Sequence, residues 1–264
     1  MTTDTAWLRP DWPAPASVRA LSTTRAGGVS RGPYGLDGGA PGGLNLGTHV
    51  GDDPLLVAEN RAKLAAHLPA MPLWLEQVHG CAVATVDHLA EPGVVPRADA
   101  SVAMVPGQVC AIMTADCLPV LLCDTEGTVV GAAHAGWRGL CNGVIEAALA
   151  RMQAARGKPS TRWLAWLGPA IGPGAFEVGA EVREAFLAQA RAGEHAAVEA
   201  AFRPGAEGKY LADIYALART RLARAGCTDI YGGDACTVSE PQRFYSYRRD
   251  GVTGRMASLV WLES

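Results

Sequence analysis

The sequence predicts an α/β (α+β) fold, a single domain of mixed sheets flanked by helices. Three observations carry that prediction. The short apolar runs VCAIMT, LPVLLC and TVVGAAH follow one another between residues 109 and 134 with only turn residues between them, the pattern of strands buried on both faces. Directly after them, LCNGVIEAALARMQAARG reads as an amphipathic helix that stops at Gly157, with Pro159 just beyond as a breaker. Strand-like and helix-like stretches are also intermixed along the whole chain, which argues against an all-α or an all-β architecture.

The remaining elements follow in chain order. Residues 1–17 read as an N-terminal extension and 18–264 as the one domain. The glycine-dense stretch GGVSRGPYGLDGGAPGGLNLG, residues 27–47, reads as a long loop, and no G-x-G-x-x-G joins a strand to a helix there, so no dinucleotide fingerprint is present. DPLLVAENRAKLAAHL has apolar residues at roughly helical spacing behind an aspartate able to cap the helix. MPLWLEQVHG reads as a strand, with CAVATVDH pairing beside it, and TRWLAWLGPAIG as a strand entering a glycine-proline loop. Helices are expected over about 180–200 and 211–225, then a short strand at Asp229 to Tyr231 and a closing strand within RMASLVWL.

Composition excludes several classes of function. A chain of 264 residues with 49% hydrophobic content can bury a large core without covalent staples. A net charge of -3, with 23 basic residues scattered along the chain, leaves no electrostatic footprint for nucleic acid. No apolar run approaches the roughly 20 residues that span a bilayer, so no membrane partner is expected. Without the pattern of a secretory leader, a cytoplasmic location is the expectation. Seven cysteines, with no C-x-x-C pair, argue against a disulfide framework, and most sit in apolar surroundings as small buried hydrophobes. Oligomeric state is not legible.

Chemistry concentrates where scarce residues meet strand ends. The six histidines are at 49, 67, 79, 88, 134 and 195; His79 closes LEQVH, His134 closes VVGAAH, and Cys117 opens LPVLLC just after CAIMT. If those strands share a sheet, the three side chains converge at one edge. Two imidazoles and a thiolate suit Zn²⁺ and leave a fourth coordination position open, as in catalytic sites. Separations of 38 and 17 residues match no short zinc-finger spacing. The same atoms also fit a cysteine hydrolase, with Cys117 as nucleophile, His134 or His79 as base and Asp116 as orienting group. A buried cysteine beside a capping aspartate is the bland alternative. HAGWRGL adds Trp137, able to stack on a flat ring, and Arg138, a planar fork for phosphate or carboxylate. FYSYRRDGVTGR adds Arg248, Arg249 and Arg255, either an anion-binding edge or a solvated hairpin loop.

Taken together, LNLGTHVGD, LEQVHG, ADA, TADCLPVLL, AAHAGWRGL, GPAIGPGAFEVG, DACT and FYSYRRDGVTGR, in that order from about residue 18 to 262, resemble one family. It is the zinc-dependent purine nucleoside phosphorylase family of the YfiH type, formerly labelled laccase-domain or multicopper polyphenol oxidase, which includes the peptidoglycan editing factor. The resemblance implies a metal held by His79, Cys117 and His134. It further implies phosphorolysis of adenosine, inosine, guanosine and S-methyl-5′-thioadenosine, with deamination of adenosine, so that purine nucleosides and inorganic phosphate are the expected partners. The editing members imply an alternative, an amidase acting on a cell-wall precursor. Within this frame Asp116 is a candidate proton shuttle, Arg138, Arg248 and Arg249 are candidates for the anion, and Asn45, His49 and Gln77 for sugar or base. Six histidines without an H-x-H pair argue against a copper cluster and a laccase, although copper is able to replace zinc at such ligands in vitro. One stretch departs from the family pattern: LDGGAPG, between GPYG and LNLG, is longer than expected.

Overall fold

The apolar runs become strands in stacked sheets. The computed structural model describes residues 7–86, 95–157 and 162–263. Among them the strands are β1 (Val18–Ser22), β2 (Ala26–Ser30), β3 (Val83–Thr85), β4 (Ala100–Ala103), β5 (Val109–Thr114), β6 (Leu118–Asp124), β7 (Val130–Ala135), β8 (Trp163–Leu167), β9 (Glu177–Gly179), β10 (Phe202–Pro204), β11 (Lys209–Ala212), β12 (Asp229–Gly232) and β13 (Met256–Leu262). The helices are α1 (Pro54–Ala65), α2 (Trp137–Asn142), α3 (Val144–Arg156), α4 (Ala180–Ala188), α5 (His195–Ala200), α6 (Ile214–Arg224) and α7 (Tyr247–Asp250). A mixed six-stranded sheet has the order β12-β8-β6-β7-β4-β3, an antiparallel sheet the order β1-β13-β5, and a small antiparallel sheet the order β10-β11-β9.

The period-2 alternation of strands explains the layers. Along β6, Leu118, Val120 and Leu122 face the core built with α2, α3, α4 and α6, while Leu121 and Cys123 face the three-stranded sheet. Along β5, Cys110 and Ile112 face the six-stranded sheet, while Val109, Ala111 and Met113 face Leu64 of α1 and the Leu44 and Leu46 segment. Helices, the six-stranded sheet, the β1-β13-β5 sheet and α1 therefore stack in that order, so β5, β6 and β7 are buried on both faces. α1 starts as the sequence predicts: Asp53 accepts from the Leu55 N–H at 2.9 Å, and Pro54 occupies the first helical position. No helix among the described residues is long and apolar enough to cross a membrane.

Several expectations are corrected. VCAIMT does not share a sheet with LPVLLC and TVVGAAH: β5 pairs with β13, and the turn Ala115 to Cys117 carries the chain into the other sheet. MPLWLEQVHG is no strand, because it makes only isolated bridges, Leu73 with Cys110 and Glu76 with Arg97, and it does not pair with CAVATVDH. The latter contributes β3, parallel to β4, while its end at Asp87 and His88 lies outside the described residues. The helix expected through residue 157 is divided at Gly143, whose φ of 101° ends α2 and starts α3; Pro159 lies outside the described residues. The helical stretch expected over 180–200 is likewise divided into α4 and α5, and the small sheet of β9, β10 and β11 packs beside them, with Asp213 capping α6. Finally, the 27–47 loop contains β2 and two short 3₁₀ turns, one of them, Asp37–Gly39, inside the long LDGGAPG stretch.

Candidate metal centre

His79, Cys117 and His134 arrive from three different places: an irregular loop, the turn between the two sheets, and the end of β7. In β7, His134 shares the parity of Val130 and Ala132, so it lies on the face turned toward the β1-β13-β5 sheet. Around His79 a side chain takes the backbone N–H groups of the loop, and a loop side chain in turn takes the backbone of a strand. The Gln77 amide takes both hydrogen bonds of the Met113 backbone at 2.8 Å, and Asp99 accepts from the N–H groups of Val78, His79 and Gly80 at 3.2, 2.9 and 2.7 Å. His79 has a φ of 61° and Asp116 one of 89°, a conformation uncommon outside glycine and concentrated at functional sites.

These constraints gather one donor atom from each of the three residues within 4.8 Å of one another. Cys117 Sγ lies 3.7 Å from His79 Nε2, and the two imidazoles meet edge to face with centroids 4.7 Å apart. Tetrahedral zinc with Zn–S near 2.3 Å and Zn–N near 2.0–2.1 Å separates S and N donors by about 3.5 Å, so the donor set fits such an ion. His134 is 3% exposed, and its Nδ1 lies 2.9 Å from Oδ1 of the fully buried Asp99, which fixes the proton on Nδ1 and leaves Nε2 as the atom able to bind a metal. Gly136 completes the cradle: a Cβ there would sit 2.7 Å from His79 Cδ2 and 3.1 Å from Cys117 Sγ.

The electrostatics favour a thiolate beside an imidazolium. Burial pushes the Cys117 thiol up, but the charge and hydrogen bond of His134, with the hydrogen bond and charge of His79, bring it down to about 6. Burial pushes His134 down, but the Cys117 charge and the hydrogen bonds from Asp99 and Cys117 raise it to about 9. Although burial raises the Asp99 carboxyl, hydrogen bonds from His134 and the Gly80 N–H hold it below its usual range. The other cysteines are also free thiols. Burial raises Cys123 and Cys227 out of the physiological range, to about 12 for Cys227, so they behave as the inert core residues the sequence suggests.

The three donors open into a cavity of about 800 Å³ whose wall also includes Thr48, His49, Arg61, Trp74, Tyr247 and Arg255. Of the sequence candidates, His49 and Gln77 line it, the latter with its amide already committed to Met113. Asn45 is fully buried behind the wall, where Oδ1 accepts from the N–H groups of Gly47 and Arg255 at 3.0 and 2.9 Å. Asp116 does not line the cavity, and both its oxygens are taken, by Thr237 Oγ1 at 2.5 Å and the Arg248 N–H at 2.6 Å. The partner that orients His134 is Asp99, in the place where the sequence suggested Asp116. Trp137 packs on the helical core with the exposed Arg138 guanidinium 4.4 Å from its ring centroid. Arg248 donates to the Glu177 carbonyl at 2.8 Å, and Arg249 is taken up by Asp250 and the carbonyls of Thr237, Val238 and Phe244. None of Trp137, Arg138, Arg248 and Arg249 lines the cavity, and the stretch of Arg248 and Arg249 is the short helix α7, not a hairpin.

Sequence reasoning missed Asp99 and Arg61. Asp99 stands in the ADA motif, so a buried aspartate among alanines was the available signal; Arg61 looks like any solvent-facing residue of an amphipathic helix.

Comparison with known proteins extends this picture. Residues 19–263 match the family described as multi-copper polyphenol oxidoreductase laccase. A purine nucleoside phosphorylase of Pseudomonas aeruginosa is 55% identical over 259 residues, covering 98% of this chain and 99% of the relative. The purine nucleoside phosphorylase YfiH of Escherichia coli (strain K12) is 55% identical over 255 residues, covering 96% and 97%. Among solved structures, a Neisseria meningitidis protein superposes with a TM-score of 0.85 at 48% identity, covering 98% of this chain and 99% of the other. YlmD from Geobacillus stearothermophilus does so with a TM-score of 0.85 at 32% identity, covering 98% and 96%. Matched along nearly its whole length, and with the donors of its motifs gathered at one point, the chain belongs to the laccase-like YfiH family.

Proposed function

We propose that the chain is a zinc-dependent purine nucleoside phosphorylase acting on adenosine, inosine, guanosine and S-methyl-5′-thioadenosine, with adenosine deamination as a second activity of the same site. The observation that carries this reading is the His79, Cys117 and His134 donor set in the wall of a nucleoside-sized cavity, in a chain whose relatives of matching length bear the phosphorylase name. Seven free thiols are compatible with the reducing cytoplasm, the setting we infer.

When bound, zinc supplies a Lewis acid with a position open to a substrate oxygen; copper is able to occupy the same ligands in vitro. The protein's own groups do the rest. Asp99 holds the His134 proton at Nδ1 and so presents one imidazole edge to the cavity. Burial, reinforced by Arg255 and Arg61, lowers His49, which keeps it neutral and able to accept a hydrogen bond from a sugar hydroxyl. Trp74 and Tyr247 offer flat surfaces for the purine, and Gln77 and Asn45 hold the wall through backbone hydrogen bonds. Phosphorolysis forms a bond from a phosphate oxygen to C1′ as the C1′–N9 bond breaks, so the cavity must hold an anion as well as a base.

A cysteine hydrolase is the second reading, favoured by one observation: Cys117, His134 and Asp99 form a Cys-His-Asp arrangement with the thiol already lowered to about 6. One experiment separates the two. Metal analysis is combined with base release from inosine and adenosine, with and without phosphate, on the wild type and Cys117→Ala. About one zinc per chain and phosphate-dependent release reduced more than about 100-fold in the variant are expected. Full turnover by verified metal-free protein, with a covalent adduct trapped on Cys117, would replace the phosphorylase reading with the hydrolase.

A further inference from the structure

The cavity contains two cationic side chains that the metal centre does not account for. Arg61 projects from α1 and Arg255 from the residue before β13, and both line the wall that carries His79, Cys117 and His134. Neither forms an ion pair with a carboxylate among the described residues. Arg61 donates its Nε–H to the Leu46 carbonyl at 2.9 Å, and its Nη2 has only the Met113 sulfur at 3.9 Å, leaving two nitrogens without an oxygen acceptor. Arg255 spends Nη1 on the carbonyls of Thr253 and Gly254 at 3.2 and 3.1 Å, which leaves Nε and Nη2. Other semi-buried guanidiniums of this chain are treated differently: Arg25 and Arg249 have all three nitrogens on carbonyls or carboxylates, and Arg221 has both Nη atoms so placed.

The two arginines are held as a pair by one residue. The Leu46 N–H donates to the Arg255 carbonyl at 3.1 Å, and the Leu46 carbonyl accepts from Arg61. The Arg61 guanidinium is stacked 4.2 Å from the Trp74 ring centroid, and the next residue, Gly47, makes room for Arg255, since a Cβ there would lie 2.8 Å from Arg255 Cγ. Burial works against the charge of both, the circumstance in which an unpaired cation is costly unless a counter-ion arrives. A guanidinium fork matches a tetrahedral oxyanion, and two forks from different elements define a site for one.

We propose that Arg61 and Arg255 form the inorganic phosphate subsite of the cavity, with Arg138, Arg248 and Arg249 taking no part. The inference deepens the phosphorylase reading and rests on it. The subsite places the attacking anion in the same chamber as the metal centre, and Trp74 sets the orientation of one fork.

The test pairs kinetics with direct binding on metal-loaded protein. Arg255→Gln and Arg61→Gln should each raise the KM for phosphate by about 10- to 100-fold, the range for losing a charge-assisted contact, while the KM for inosine changes less than about 3-fold. Calorimetric titration with inorganic phosphate should show binding to the wild type that is weakened to the same degree in both variants. Arg138→Gln should leave phosphate binding unchanged. If circular dichroism finds a glutamine variant unfolded, Arg61→Lys and Arg255→Lys keep the charge and lose the fork, and a smaller loss of phosphate affinity in the same direction, with the KM for inosine unchanged, is expected of them. An unchanged phosphate KM with a raised inosine KM overturns the inference and leaves the phosphorylase reading standing. Should the wild type show no phosphate-dependent release, that reading fails, and the titration alone decides: arginine-dependent phosphate binding upholds the anion subsite, and its absence removes it. Tight binding of a nucleoside monophosphate without binding of inorganic phosphate also overturns the assignment.

Discussion

Asp99 shows how much one side chain can organise. Its two oxygens accept from His134 Nδ1 and from three consecutive backbone N–H groups of the His79 loop, so it sets the tautomer of one donor residue and the position of another. A carboxylate with no exposed surface is tolerated because every lone pair has a donor. Asp99→Asn presents an N–H₂ to groups that are themselves donors. Metal affinity is therefore expected to fall about 10- to 100-fold, the usual cost of losing a partner behind a ligand, measured by competition with a chromogenic chelator. Unchanged affinity would show that the His134 orientation is set by packing alone. The three donor residues are legible in the sequence and Asp99 is not, for a physical reason. Scarce histidines and a cysteine at strand ends identify themselves by chemistry, whereas Asp99 draws its donors from 19 to 35 positions away.

At the scale of elements, the site depends on close approach between backbones. Gly136 precedes the first residue of α2, against His79 and Cys117, and any side chain there pushes on both of them. Gly136→Ala is expected to lower bound metal to a small fraction of the wild-type level, since relieving such an overlap costs about 1–3 kcal/mol and the movable neighbours are the ligands themselves. Gly174→Ala, where a Cβ meets nothing within 4 Å, should keep its full metal content. Equal metal in both variants, by elemental analysis, would mean that the α2 terminus can retreat. The glycines of AAHAGWRG are visible in the sequence as room for a close approach, but what approaches is not. Residues 72–79 mislead because their apolar alternation imitates a strand, while the segment makes only isolated backbone bridges and Asp99 takes the N–H groups of Val78 and His79. Asp116 misleads in the opposite way: beside a cysteine it suggests proton chemistry, yet it ties the turn to Thr237 and α7.

For the whole molecule, buried strands and helices are readable from period and punctuation, but the partition of strands between sheets is not, because β5, β6 and β7 are apolar on both faces and any order would bury them. That partition has a consequence for stability. Cys117 sits where the chain passes from one sheet to the other, His134 at the end of β7 and His79 on a loop beside β4, so an ion held by all three cross-links the layers. Metal held at 100 times its dissociation constant adds about 2.7 kcal/mol, or roughly 5–10 °C in Tm for a domain of this size. Chelation should lower Tm by that amount. In the metal-free protein two linkages oppose each other. Cys117, lowered from 9.0 to about 6, contributes stability that is present above the unfolded value and lost as pH falls through about 6. His134, raised from 6.5 to about 9, contributes stability that is present below the unfolded value and lost as pH rises through about 9. Between pH 6 and 9 one contribution grows as the other declines, because folding moves a proton from thiol to imidazole without changing the number bound. The Tm of chelated protein should therefore be nearly flat across this window, although ultraviolet thiolate absorbance appears with a midpoint near pH 6. A steep slope in Tm over the same range, without that absorbance, would mean that Cys117 remains a neutral thiol until metal binds.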